Sequence, residues 1–314
     1  MTVAAVEVEL AGLRLRNPFL LASGIWGESG ESLKGAFDAG AGGVITKSIG
    51  AEPRDGYPNP TIEAYDTWGM LNAMGLPNPG IEEYPREIAV ALSAGVPTIG
   101  SVFAGDADSF ADVAKRMAAT GVLALELNLS CPHAKGLGSE VGSDPAEVER
   151  VVRAVVRAVS VPVIAKITPN TADPVALGLA AERGGAAAIS AINTLRALAI
   201  DLTLRRPVLA HGLGGLSGAA IKPVGVAIVW QLYEALRIPI VGVGGIRTAD
   251  DAIEYALAGA RAVEVGTAVA FDGIGVFGRL ASELPLRLDA LGFSSWAAAV
   301  GAAHPRSASA GRTA

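Results

Sequence analysis

Leu123–Gly138 reads LALELNLSCPHAKGLG. It opens as an apolar run of strand length, Leu123 to Leu129, broken only by Glu126 and Asn128, and then turns into a loop punctuated by Pro132, Gly136 and Gly138. A helix-like segment from Pro145 to Val159 follows, and after it a second apolar run from Val161 to Lys166. Strand, helix, strand is the repeating unit of a parallel sheet. The same alternation extends in both directions. Upstream lie β-like runs at Phe19–Ala22, Gly43–Thr46 and Thr98–Phe103, with helices over Ser32–Ala39, from about Ile81, and over Ala107–Ala119. Downstream come runs at Ala186–Ala191, Ile238–Val243 and Arg261–Val265, with helices near Asp173–Arg183 and from about Ile221. Two short strands, Ala5–Leu10 and Leu13–Leu15, precede them all. Eight β-runs alternating with helices predict an α/β fold of the (β/α)₈ TIM-barrel type with long loops at its C-terminal face. An open doubly wound sheet would need a glycine fingerprint at the first crossover, and none follows Ala22.

Composition agrees with that reading. Of the 314 residues, 51% are hydrophobic and only 5% aromatic, so the core must be built from Val, Ile, Leu and Ala, as doubly covered parallel strands require. That length suits one large barrel, and residues 1–300 are expected to form a single domain. From Gly301 the tail GAAHPRSASAGRTA is small and polar and is expected to be disordered. A net charge of -6 argues against nucleic acid or an anionic membrane as the main partner. No basic leader segment and no apolar run of spanning length is visible, which predicts a soluble cytoplasmic protein. The lone cysteine, Cys131, rules out an internal disulfide and an iron–sulfur cluster held by this chain, and no metal is expected.

Three connections exceed the length of simple turns: Gly50–Gly80, Pro132–Pro145 and Leu195–Ala220. Each follows a strand, so all three emerge on the barrel face where active sites of this fold lie. The first is rich in proline (Pro53, Pro58, Pro60, Pro77, Pro79) and reads as an ordered lobe; the second, with Gly136, Gly138 and Gly142, reads as a lid over Cys131. Cys131 stands just past a strand end, where a thiol is a candidate nucleophile or base rather than an inert core hydrophobe. The chain has 19 Arg but only 6 Lys, and two of the six, Lys47 and Lys166, close β-runs. A lysine there must be paired, bind a ligand, or snorkel to the barrel mouth. Asn72, Asn128 and Asn193 fall on the same face, where their amides could read the polar edge of a flat ring or bond their own turns. Gly244 and Gly245 after the seventh run, with Gly266 and Thr267 after the eighth, suit a phosphate cradle, over which Gly214, Gly215 and Gly218 would close.

These residues fall within ASG (Ala22–Gly24), TKS (Thr46–Ser48), GMLNAMGLPNPG (Gly69–Gly80), ELNLSCP (Glu126–Pro132), AKITPN (Ala165–Asn170), INT (Ile192–Thr194), RRPVLAHGLGGLSGAAIKP (Arg205–Pro223) and VGVGGI (Val241–Ile246). Through them the chain resembles the class 1 dihydroorotate dehydrogenases over nearly its full length, and most closely the type B catalytic subunits. The resemblance implies the same barrel with one FMN, its phosphate at the last two strands. It implies oxidation of (S)-dihydroorotate to orotate in pyrimidine biosynthesis, with Cys131 as the base for the C5 proton and hydride leaving C6 for FMN N5. Lys47 would stand between flavin and substrate carboxylate, with Asn72 and the backbone of Met74, Gly75 and Leu76 beside it; Asn128, Asn193 and Thr194 would hold the pyrimidine edge. Ser23, Lys47, Ser48, Ser101, Asn128, Lys166, Ile192, Gly218, Gly244, Gly245, Gly266 and Thr267 would line the FMN. It also implies a homodimer and a separate electron-transfer subunit carrying FAD and a 2Fe-2S cluster, with a fumarate-using type A homodimer as the competing arrangement. Two positions depart from the pattern. His133 stands where many members have Asn after SCP and is expected to contact the pyrimidine in its place; Ser101 replaces Asn after the third run. Both resemble the uracil-reducing barrel of dihydropyrimidine dehydrogenases, the alternative reading, but the loop LNAMGLPNPG resembles one that holds a substrate carboxylate, which uracil lacks. A barrel aldolase using Lys166 as a Schiff base is a reading from another enzyme class, and flavin storage without catalysis a third.

Overall fold

The computed structural model describes residues 4–66, 68–130 and 141–305. Eight strands close a parallel barrel: β1 (Phe19–Leu21), β2 (Gly43–Ile45), β3 (Thr98–Val102), β4 (Ala124–Asn128), β5 (Val163–Lys166), β6 (Ala188–Ala191), β7 (Ile240–Val243) and β8 (Ala260–Val265). Each pairs in parallel with its sequence neighbours, and β8 returns to β1 through Val263↔Phe19 and Val265↔Leu21. The strands are buried on both sides because helices cover their outer faces, which is why they read as near-continuous apolar runs. Alternation within a strand decides what enters the barrel. In β4, Glu126 and Asn128 point into the central cavity, while Leu125 and Leu127 turn outward into the packed layer beneath the helices.

The helices are α1 (Gly30–Asp38), α2 (Pro85–Ser93), α3 (Ala107–Ala118), α4 (Pro145–Ala158), α5 (Pro174–Gly184), α6 (Lys222–Ala235), α7 (Ala249–Ala258), α8 (Thr267–Asp272), α9 (Val276–Ala290) and α10 (Trp296–Ala299). Helix α4 shows how local sequence sets them. Asp144 caps it by accepting from Ala146 N at 3.0 Å, Pro145 fills the first turn, and Val148, Val151, Val152 and Val155 form one fully buried stripe. Helix α2 begins at Pro85 rather than near Ile81, since the preceding segment is held as a turn by Ile81 N bonding Gly50 O at 3.0 Å.

The two longest excursions build one structure. The loop after β2 supplies strands Ile62–Tyr65 and Gly69–Asn72; the loop after β6 supplies Leu195–Ala197 and Gly214–Ser217. They form a four-stranded antiparallel sheet over the barrel mouth, with Asn72 paired to Gly215, Leu71 to Leu216 and Met70 to Ser217. Leu71, Ala73 and Leu209 give this lobe a small core of its own.

One expectation is corrected at the C-terminus. Gly301–Pro305, read from composition as the start of a disordered tail, packs on the barrel: His304 stacks on Trp230 with ring centroids 3.6 Å apart, and its Nε2 lies 3.0 Å from Ala258 O. Aromatic stacking and a buried carbonyl partner supply the order that polarity alone does not suggest. Among the described residues, no helix is long and apolar enough to cross a membrane.

Candidate active site

At the C-terminal mouth of the barrel, beneath the lobe, lies a cavity of about 460 Å³, within the range of small-molecule and cofactor sites. Its wall is a run of side-chain hydrogen bonds that crosses five strand ends. Ser23, after β1, is 3.1 Å from Ser48, after β2; Ser48 is 2.9 Å from Ser101 on β3 and accepts from Asn128 Nδ2 on β4 at 3.2 Å. Asn193, after β6, donates to Asn128 Oδ1 at 3.3 Å and accepts from Thr194 N at 2.7 Å. Each link fixes the rotamer of the next, so polar groups that the sequence scatters over 170 residues present one preorganised edge. Ser101 is a correction to the expected lining: it is fully buried on β3 and reaches the cavity only through Ser48. Lys47 extends into the cavity, where its Nζ meets Glu28 Oε1 at 2.7 Å. Glu28 is largely exposed, so that pair is weakly held and open to exchange for a ligand carboxylate.

The floor carries the strongest electrostatics. Lys166 Nζ, at the end of β5, lies 2.5 Å from Glu264 Oε2 on β8 and 3.5 Å from Glu126 Oε1 on β4, and all three groups are buried. Burial pulls the Lys166 ammonium down, but the adjoining carboxyl groups of Glu126 and Glu264 more than offset it and hold it above its ordinary range. A Schiff-base lysine needs a neutral amine, so this geometry argues against the aldolase reading. Burial, reinforced by the neighbouring Glu264, pushes the Glu126 carboxyl up to about 8. Neither glutamate was singled out from sequence as functional. The available signal was a carboxylate inside a doubly buried parallel strand, in LELN and again in VEVG.

Backbone forms the far end. Gly218, Gly244 and Gly245 all adopt positive φ (93°, 125° and 72°), and a Cβ on Gly245 would sit 2.8 Å from Gly218 O. Gly266 and Thr267 line the same end, with Thr267 Oγ1 2.8 Å from Ser217 Oγ. Every expected flavin-lining residue except Ser101 lines this one cavity: Ser23, Lys47, Ser48, Asn128, Lys166, Ile192, Gly218, Gly244, Gly245, Gly266 and Thr267. A cavity with a polar edge, a lysine held on its floor and a side-chain-free cradle fits FMN.

A second chamber of about 360 Å³ adjoins the first and shares Asn72, Met74, Leu76, Asn128, Asn193 and Thr194 with it. Gly75 lines it, as do Gly214 and Gly215, which therefore belong to this chamber rather than to the phosphate end. Asn78 organises the wall. Its Oδ1 accepts from Gly50 N at 3.2 Å and Gly80 N at 3.0 Å, and its Nδ2 donates to Leu76 O at 2.9 Å, so the Met74–Leu76 segment is pinned to Gly50, at the start of the loop after β2. Asn170 does the same for Thr194, donating to its carbonyl at 3.0 Å. Ser130 Oγ, also on this chamber, is buried without a hydrogen-bond partner among the described residues. Cys131, His133 and most of the lid expected over Pro132–Pro145 lie outside the described residues.

The sequence profile of the dihydroorotate dehydrogenase family matches residues 5–288. The catalytic subunit of dihydroorotate dehydrogenase B (NAD⁺) from Pyrococcus furiosus is 49% identical over 304 residues, covering 96% of this chain and 99% of that one. Those of Pyrococcus horikoshii and Thermococcus kodakarensis are 48% and 49% identical, covering 94% and 96% of this chain, and 96% and 99% of theirs. The chain belongs to the dihydroorotate dehydrogenase family.

Proposed function

We propose that the chain oxidises (S)-dihydroorotate to orotate as an FMN-dependent catalytic subunit in pyrimidine biosynthesis, residues 1–300 acting as one unit. The observation that carries this reading is the meeting of two chambers at a single polar edge, one suited to a flavin and the other to a small polar ring. Bound FMN would supply the acceptor for hydride from C6. The protein's own groups do the rest. Lys47, released from Glu28, pairs with the substrate carboxylate, supported by Asn72 and the Met74–Leu76 backbone. Asn128, Asn193 and Thr194 hold the pyrimidine edge with donors and acceptors already fixed by their mutual hydrogen bonds. Cys131, at the head of the segment that follows Ser130, takes the C5 proton, and His133 donates to a ring carbonyl. A free thiol titrates near 8.5, so the rate should rise with pH until the thiolate forms.

A cationic Lys47 in the first chamber, which shares Asn72, Met74 and Leu76 with the second, favours a carboxylate-bearing substrate over uracil. Anaerobic mixing of the flavin-loaded protein with dihydroorotate or dihydrouracil tests this: bleaching by dihydroorotate alone is expected. Bleaching by dihydrouracil alone would transfer the assignment to uracil-type reduction, and no bleaching by either would leave flavin storage.

The electron route outward completes the proposal. The relatives are named as NAD⁺-linked catalytic subunits, and one cysteine cannot hold a cluster in this chain. Accordingly FAD and a 2Fe-2S centre are assigned to a separate partner subunit, and the chain itself to a homodimer, as the resemblance to type B subunits implies. Steady-state turnover of the purified single chain should be slow with NAD⁺. Rapid NAD⁺ reduction without a second protein would refute the partner, and rapid fumarate reduction would place the chain with the type A enzymes.

A further inference from the structure

Ser190 on β6 sits between the two glutamates of the cavity floor, its Oγ 3.0 Å from Glu126 Oε2 and 2.8 Å from Glu264 Oε1. A serine hydroxyl has one proton and can donate to only one of them. If both carboxyls were ionised, the second contact would set an oxygen lone pair against a carboxylate within hydrogen-bond distance, buried and without a proton between them. The charge count leads to the same place. Among the described residues, the titratable groups facing Glu126 are Lys166 from β5 and Glu264 from β8, and β6 contributes only Ser190. Two ionised carboxylates with one ammonium would leave a net negative charge in a site all but sealed from water, whereas one added proton makes the cluster neutral.

We infer that Glu126 is a protonated carboxylic acid at neutral pH, donating to Ser190 Oγ, which in turn donates to Glu264, and that this chain positions Lys166 on the cavity floor. Lys166 faces the deprotonated partner, at 2.5 Å, and stands farther from the protonated one, at 3.5 Å, as this distribution of charge requires. Glu126, Ser190 and Glu264 are thus positioning residues: they act on the cavity through Lys166. The consequence for a bound flavin rests on the function proposed above; the held proton does not.

The test is carbon-13 NMR of the flavin-loaded protein carrying glutamate labelled at the side-chain carboxyl. One resonance should have the shift of a neutral acid at pH 7 and move to the carboxylate position only as pH rises through about 8. It should vanish in Glu126→Gln. In Glu264→Gln it should move to the carboxylate position, because Glu126 then has Lys166 to itself. Wild-type protein with every glutamate ionised at pH 7 would overturn the inference, as would a neutral-acid signal that survives either substitution. Should a variant fail to fold, the wild-type titration decides alone. As a second readout, the midpoint potential of bound FMN should show an inflection near pH 8 in wild type that is absent in Glu126→Gln. Failure of dihydroorotate to bleach the flavin would leave the NMR result untouched, so the two claims fail separately.

Discussion

Replacing Asn78 with alanine tests whether one buried amide holds the substrate wall in place. The side chain is nearly inaccessible and makes three hydrogen bonds, accepting from Gly50 N and Gly80 N and donating to Leu76 O. Each is worth roughly 1 kcal/mol net, so the local loss is about 3 kcal/mol. At roughly 1.4 kcal/mol per tenfold, this shifts the opening equilibrium of the loop by about 100-fold. The backbone pair between Arg54 and Asn78 survives the substitution, which confines the effect to the loop. Hydrogen exchange read peptide by peptide should show protection falling by about 100-fold across residues 50–80, with the barrel strands unchanged. Orotate should bind more weakly while FMN stays bound, because Asn78 braces Met74–Leu76 and touches nothing at the glycine cradle. Unchanged protection in residues 50–80, or an equal loss throughout the barrel, would refute the bracing role.

Cys131→Ala should leave FMN bound and slow flavin reduction by dihydroorotate roughly 10²- to 10⁴-fold in stopped flow, the contribution of a positioned acid or base; near-normal reduction would remove the thiol from the mechanism. Gly245→Ala should yield protein with little flavin, measured as absorbance per chain, since its φ of 72° disfavours any side chain and its Cβ would press on Gly218 O at 2.8 Å. Stability should fall as pH rises from about 4.5 to about 8, because the folded state keeps a proton on Glu126 that the unfolded chain has released; denaturation midpoints should show this decline in wild type and a weaker one in Glu126→Gln.

The barrel was legible because parallel strands covered on both faces must be apolar throughout, and the runs at Val161–Lys166 and Ile238–Val243 say so directly. Chemistry-bearing residues were legible where their type is costly in its setting. Lys47 and Lys166 closing strands, and Gly244 and Gly245 after β7, stand out for that reason. Glu126 satisfied the same criterion yet read as an interruption, and Glu264 went unremarked, because neither shows in isolation what would neutralise it. Asn78 was one of seven asparagines with nothing local to mark it as the one that ties Gly50 to Gly80.

The amino-acid sequence by itself determined the alternation of strands and helices, the face on which the long loops emerge, and the residue types available there, because periodicity and turn chemistry act over a few residues at a time. Only the tertiary structure decided which of those residues meet. It paired the loop after β2 with the loop after β6 through Asn72 and Gly215, and it divided the mouth into two chambers with a common wall. It also set Lys166 between carboxylates from β4 and β8, about 40 and 98 residues away along the chain. Such contacts arise from closing the barrel, which brings strand ends together whatever their separation in sequence, and no local pattern encodes them.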